Sequence, residues 1–217
     1  MTEEQQVIKI IPSPFERKFD QLAAKLIQLI PQWIKPNLIT VVGFLIGMFA
    51  ALSYYLASFH KIWLLIAAIA VFLHLLADSL DGSLARERSL TSKRGEFLDQ
   101  ILDAIFFAAL PIGIGFSSYA IFEIIIFSAI LADLHNFLIM LWIVLRKKWF
   151  FPGIGVFEYH FIFIVGAILS YFWYDSVLTL GNYSLGCFDL IVLIAVPLSF
   201  IDFCISAFKL FQELENL

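Results

Sequence analysis

The chain has 217 residues, 61% of them hydrophobic and 15% charged, with a mean hydropathy of +0.92. Soluble domains are about 45–50% apolar and about 25% charged, so this composition excludes one, and with it a disordered chain, a collagenous one and a small disulfide scaffold. The net charge of −4 decides little until its placement is read, and no nucleic-acid partner is expected.

In chain order, residues 1–14 carry Glu3, Glu4, Pro12 and Pro14 where a signal peptide would carry an apolar run, so no cleavable signal is expected. Phe15, Phe19, Leu22, Leu26, Leu29, Ile30 and Trp33 then recur at helical spacing, with Glu16, Arg17, Lys18, Asp20 and Lys25 between them. This pattern predicts an amphipathic helix, either lying in the headgroup layer or capping a bundle. A spanning helix needs roughly 20 apolar residues, and six such runs follow, at 37–58, 62–85, 95–117, 120–144, 155–174 and 186–210. Pro36, Gly95, Gly153 and Gly186 punctuate four of their starts. The expected architecture is therefore an all-α integral membrane protein. Residues 1–35 form a cytoplasmic N-terminus with its interfacial helix, and residues 36–217 form a six-helix domain.

Smaller features fit this frame. Gly43 and Gly47 predict a close helix contact, inside the bundle or at a dimer seam. Pro111 and Pro197 should kink their spans. Cys187 and Cys204 lie roughly 25 Å apart along one helix, beyond disulfide reach. Thirteen of the fourteen basic residues fall on the side of the N-terminus, and only Lys61 falls on the other. By the positive-inside rule both termini and the loops near 86–94 and 146–153 are cytoplasmic.

Carboxylates in a bilayer are expensive and need a reason. Asp78 and Asp81 are three residues apart at the cytoplasmic end of the second span; Asp99 and Asp103 are four apart at the start of the third. Each spacing puts its pair on one helix face, and the short connection at 87–94 makes the two helices expected antiparallel neighbours. Four carboxylates in one low-dielectric pocket repel one another. Divalent cations relieve that repulsion, and all-oxygen ligation suits Mg²⁺, Mn²⁺ or Ca²⁺. Two ions shared by four aspartates can clamp the oxygens of a phosphoryl displacement. Gly82 and Ala85 let a ligand approach the backbone, and Arg86 can hold a phosphate with its planar fork. Solvated carboxylates at a membrane surface are the alternative, and the apolar Leu80, Ile101 and Leu102 between them argue against it.

The run Asp78-x-x-Asp81-Gly82-x-x-Ala85-Arg86, eight residues, Gly95-x-x-x-Asp99-x-x-x-Asp103 resembles the signature of the CDP-alcohol phosphotransferase family at all eight positions. That resemblance implies a six-helix membrane enzyme of phospholipid synthesis, often a homodimer. Such enzymes transfer a substituted phosphate from a CDP-linked donor to an alcohol acceptor and release CMP. It further implies two Mg²⁺ (or Mn²⁺) ions on Asp78, Asp81, Asp99 and Asp103, with Asp103 also taking the proton of the attacking hydroxyl. Gly82, Ala85, Arg86 and Gly95 would face the donor. Asn37-Leu38-Ile39-Thr40 resembles the family segment that closes over the nucleotide, with a helix start as the plainer reading. Ser92 stands where several members place a hydroxyl beside the donor phosphates, or is loop filler.

CDP-diacylglycerol is the favoured donor. Glu158 and His160 also resemble the choline/ethanolamine branch, in which CDP-choline or CDP-ethanolamine meets diacylglycerol. Asp133, His135, Asn136, Glu158 and His160, beside Arg146, Lys147 and Lys148, are candidates for an acceptor pocket; the lysines read equally as stop-transfer charges. Glu123, Asp189 and Asp202 are further polar residues within spans, and His74 is expected to be a hydrogen-bonded packing residue. An intramembrane prenyltransferase would need more helices than 217 residues allow. A transporter would spread its acids through the bilayer depth, whereas four cluster here at one end.

Overall fold

The computed structural model describes residues 8–9, 14–146, 148–149, 156–173, 176–181 and 183–215. Expectations that rested on Glu3, Glu4, Pro12, Lys147, Gly153 or Gly155 lie outside them, as do the side chains of Phe15, Glu16, Arg17, Lys18 and Asp20. Seven helices are described: α1 (Pro14–Ile27), α2 (Pro36–Leu56), α3 (Ile62–Glu87), α4 (Lys93–Gly115), α5 (Phe122–Arg146), α6 (Val156–Phe172) and α7 (Cys187–Glu215). Two residue pairs, β1 (Ile8–Lys9) and β2 (Lys148–Trp149), run parallel at the motif end of the bundle. An antiparallel ribbon of β3 (Leu178–Leu180) and β4 (Tyr183–Leu185) joins α6 to α7 at the other end. The protein is an all-α, multi-pass membrane protein.

Helices α2, α3, α4, α5 and α7 are each long and apolar enough to cross a bilayer. The fifth expected span appears as α6, whose 17 residues reach about 26 Å at 1.5 Å per residue. Helices α3 and α4 extend by charged residues beyond their apolar runs, to Glu87 and back to Lys93. Helix α7 likewise continues to Glu215 past the expected end at 210. Hydrogen bonding, rather than apolarity, sets these ends. Pro111 and Pro197 both lie inside helices, and both cysteines are free thiols.

Packing follows the small residues. Helix α2 packs along both α3 and α4; α6 packs on α3 and α7, and α5 on α4 and α7. A Cβ on Gly43 would stand 2.7 Å from the Ala77 Cβ of α3, and one on Gly47 would stand 2.6 Å from the Phe106 ring of α4. This glycine pair therefore serves close packing within the bundle, and the dimer-seam reading of it is corrected. Tyr54 donates to the Phe163 carbonyl at 2.9 Å and meets the Phe188 ring edge-on, tying α2 to α6 and α7. On the outside, α1 packs on α3 with Ala23 and Ile27 buried, and Phe19 sets its edge against Phe72 and Phe157. Beyond its end Leu29 and Trp33 stay 78% and 73% exposed. The segment thus caps the bundle with one face and leaves Leu29 and Trp33 exposed on the other.

Candidate active site

The acidic residues come from two helices that scarcely touch. Helices α3 and α4 were expected to pair directly; instead α2 packs on both and the two have almost no backbone packing on each other. The reason is room, since helices packed at 8–10 Å leave no space for opposed carboxylates. Their side chains meet at the cleft floor, where His74 lies against Phe106 with ring centroids 3.7 Å apart. His160 of α6 stacks on both rings, at 5.3 and 5.4 Å. The His74 Nδ1 donates to the Gly43 carbonyl at 3.0 Å, which fits the expected packing role and also makes His74 part of the floor.

One turn above His74 stands Asp78. It, Asp99 and Asp103 each offer one carboxylate oxygen, and these atoms lie within 4.8 Å of one another. Asp81 is buried on the same helix face; its Oδ2 has no hydrogen-bond partner among the described residues. It is close enough to Asp99 and Asp103 for their charges to act on one another. Like charges gathered in a cleft with an unsatisfied carboxylate oxygen are a donor set for hard divalent cations. The residues present fit such ions.

The rest of the predicted set surrounds this group. Thr40 and the Gly82 amide are within hydrogen-bonding reach of Asp81. The Thr40 hydroxyl also bonds the Pro36 carbonyl at 3.2 Å. Arg86 is exposed and folds back along α3, with Nη2 donating to Ser83 Oγ at 3.0 Å and Nη1 lying 3.3 Å from where a Gly82 Cβ would be. Ser92 is the N-cap of α4, accepting from the Gly95 amide at 3.1 Å. A Cβ on Gly95 would stand 3.1 Å from Asn37 Oδ1 and 3.2 Å from Ser92 Oγ, a fit in which those two side chains would have to give by a few tenths of an ångström. Ala85 and Ile39 are half-buried, while Leu38 is exposed beside them.

Among the described residues, several members of the second polar set have partners of their own. His135 donates from Nδ1 to the Leu131 carbonyl at 2.9 Å and sets Nε2 3.6 Å from Asp202 Oδ2. Asp133, two residues earlier, is half-buried. His160 is in the cleft floor. Asp189, at the opposite end, accepts from the Ile121 and Gly186 amides at 2.7 and 2.9 Å, which makes it a cap for α7 and the preceding turn. Arg146 is paired with Glu213 at 2.9 Å. Sequence reasoning missed His160 as floor and the His135–Asp202 pair; only the latter had a signal, two ionisable residues at mid-span depth.

Comparison with known proteins bears on this geometry. The CDP-alcohol phosphatidyltransferase family model matches residues 33–201. The inner membrane protein YnjF of Escherichia coli (strain K12) is 44% identical over 84 residues, covering 37% of this chain and 36% of that protein. The archaetidylinositol phosphate synthase of Pyrococcus horikoshii is 40% identical over 81 residues, covering 37% of this chain and 40% of that protein. The chain thus matches well under half the length of these two relatives. The Mycobacterium tuberculosis phosphatidylinositol phosphate synthase, 18% identical, shares the fold. Its structure with CDP-DAG bound gives a TM-score of 0.63 over 88% of this chain and 92% of that one. Its complex with manganese and citrate gives 0.66 over 89% and 88%. With the family match spanning most of its length and the acidic cleft built from the family's signature run, this chain belongs to the CDP-alcohol phosphatidyltransferase family.

Proposed function

We propose that the protein transfers a phosphatidyl group from CDP-diacylglycerol to a small alcohol, releasing CMP, in phospholipid synthesis at the cytoplasmic leaflet. The observation that carries this reading is the convergence of Asp78, Asp99 and Asp103 within 4.8 Å, with the unsatisfied Asp81 oxygen beside them. These four residues would hold two Mg²⁺ or Mn²⁺ ions, which would supply positive charge against the donor's pyrophosphate and the oxygens of the displacement.

The chain's own residues do the rest. Arg86 leaves Ser83 and engages the donor phosphate with its fork. Asn37, Leu38, Ile39 and Thr40 stand over the nucleotide as a wall of the cleft, and Gly82, Ala85 and Gly95 let it lie against two helices. The acceptor oxygen bonds to the lipid-bearing phosphorus in line as the bond to the CMP oxygen breaks. Asp103 accepts the hydroxyl proton. Free aspartate, with a pKa of about 3.9, is a weak base for an alcohol, so Asp103 contributes chiefly by position. Residues 36–217 form the catalytic domain and residues 1–35 its interfacial arm. The enzyme works as a homodimer with both termini in the cytoplasm, a reading supported by the charge asymmetry for orientation.

The test is CMP release by the purified protein in nanodiscs. CDP-diacylglycerol is offered with glycerol phosphate, inositol phosphate, inositol or serine; CDP-choline and CDP-ethanolamine are offered with diacylglycerol. Release from a CDP-diacylglycerol pairing, abolished by EDTA and by Asp103→Asn, is expected. Release only from CDP-choline or CDP-ethanolamine would reverse the donor assignment, and release from none would overturn the reading.

A further inference from the structure

Arg88 is the C-cap of α3, two residues beyond Arg86. Its own helix makes no demand on its side chain. The Leu90 amide bonds the Ala85 carbonyl at 2.8 Å and the Ser89 amide bonds the Arg86 carbonyl at 3.2 Å, closing α3 with a Schellman turn. Ser89 takes the left-handed backbone that this turn requires, at φ 53°. The Arg88 guanidinium reaches instead to the segment between α1 and α2. Its Nη2 donates to the Ile30 carbonyl at 2.6 Å, and its Nη1 donates to those of Ile34 at 2.9 Å and Pro31 at 3.3 Å. Bonds from a cation to carbonyls are among the stronger ones, and a planar fork can serve three acceptors that a single ammonium cannot span.

The clamped segment leads straight into the cleft. Two residues after Ile34, Pro36 opens α2, and its first turn carries Asn37 against Gly95 and Thr40 against Asp81. Three chain bonds cover at most about 11 Å, so fixing the Ile34 carbonyl confines Asn37. We propose that Arg88 is a positioning residue that holds residues 30–34 so that Asn37 and Thr40 stand as a preformed third wall of the acidic cleft. On the function proposed above, the donor nucleotide then binds this wall without having to order it.

Two measurements on the full chain in nanodiscs test the proposal. In a Cys187→Ala, Cys204→Ser background, Asn37→Cys and Gly95→Cys are cross-linked with a short bifunctional thiol reagent. Replacing Arg88 by Ala should slow this cross-link severalfold, and Arg88→Lys should fall between. In the otherwise native chain, Arg88→Ala should weaken CMP binding in the presence of Mn²⁺ by about tenfold. Affinity for Mn²⁺ alone should stay within about twofold, and Arg88→Lys should recover part of the CMP affinity. A merely structural role would weaken both ligands alike and leave no such split. An unchanged cross-linking rate, or unchanged CMP affinity beside a slowed cross-link, overturns the proposal. If the native chain binds no CMP at all, the proposed function fails, and the cross-linking rates alone decide whether Arg88 fixes Asn37.

Discussion

His74 and Phe106 face each other at 3.7 Å between ring centroids, and Gly47 is the reason they can. A methyl group on Gly47 would stand 2.6 Å from Phe106 Cδ2 and 3.1 Å from His74 Nδ1. Phe106 is fully buried and His74 is held by the Gly43 carbonyl, so neither ring can step aside. Overpacking of this kind costs about 1–3 kcal/mol. Gly47→Ala should therefore lower the melting temperature in detergent and slow CMP release, since the floor beneath Asp78 shifts. An unchanged melting curve would show slack in this seam.

The acidic cleft makes a prediction that needs no substrate. Ions that bind the folded state stabilise it by mass action, about 2.7 kcal/mol at a hundred times the dissociation constant. Mn²⁺ should raise the melting temperature of the wild-type chain, and Asp99→Asn should remove most of that rise. Without metal the same variant should be no less stable than wild type, because it takes one charge out of a mutually repelling group. CMP release should fall by on the order of a hundredfold or more. A full Mn²⁺ response in Asp99→Asn would take Asp99 out of the ligand set.

What the sequence revealed and what it hid divide along one physical line. Span length and the i, i+3 and i, i+4 spacing of Asp78, Asp81, Asp99 and Asp103 are local properties, so both were legible. The separation of α3 from α4 was not, because it is set by α2 lying along both. Arg88 bonds carbonyls 54 to 58 residues upstream, and no local pattern encodes such a reach. Asp189 looked like a polar residue within a span because its apolar neighbours are visible in the sequence and the two amides it caps are not.

Asp189 should prove structural. Its two oxygens accept from the Ile121 and Gly186 amides, joining the start of α7 to the start of α5 at the end remote from the acidic cleft. Asp189→Ala leaves two amides without their acceptor and should cost about 1–3 kcal/mol. The melting temperature should fall while the donor KM stays at the wild-type value. A raised donor KM at unchanged stability would place Asp189 in the chemistry, against its position.

Ser92 has two readings that one substitution separates. Its hydroxyl accepts from the Gly95 amide at 3.1 Å as the N-cap of α4, and it also borders the cleft mouth beside Gly95 and Asn37. Ser92→Ala removes the cap and should cost about 1 kcal/mol. Ser92→Asp keeps the cap, since aspartate is as good at that position and its charge suits a helix N-terminus. Stability should therefore be retained. The added negative charge would then repel the donor pyrophosphate, so the Asp variant should show a raised donor KM with a near-normal melting temperature. If its KM matches wild type, the hydroxyl serves α4 alone and the phosphates lie elsewhere in the cleft.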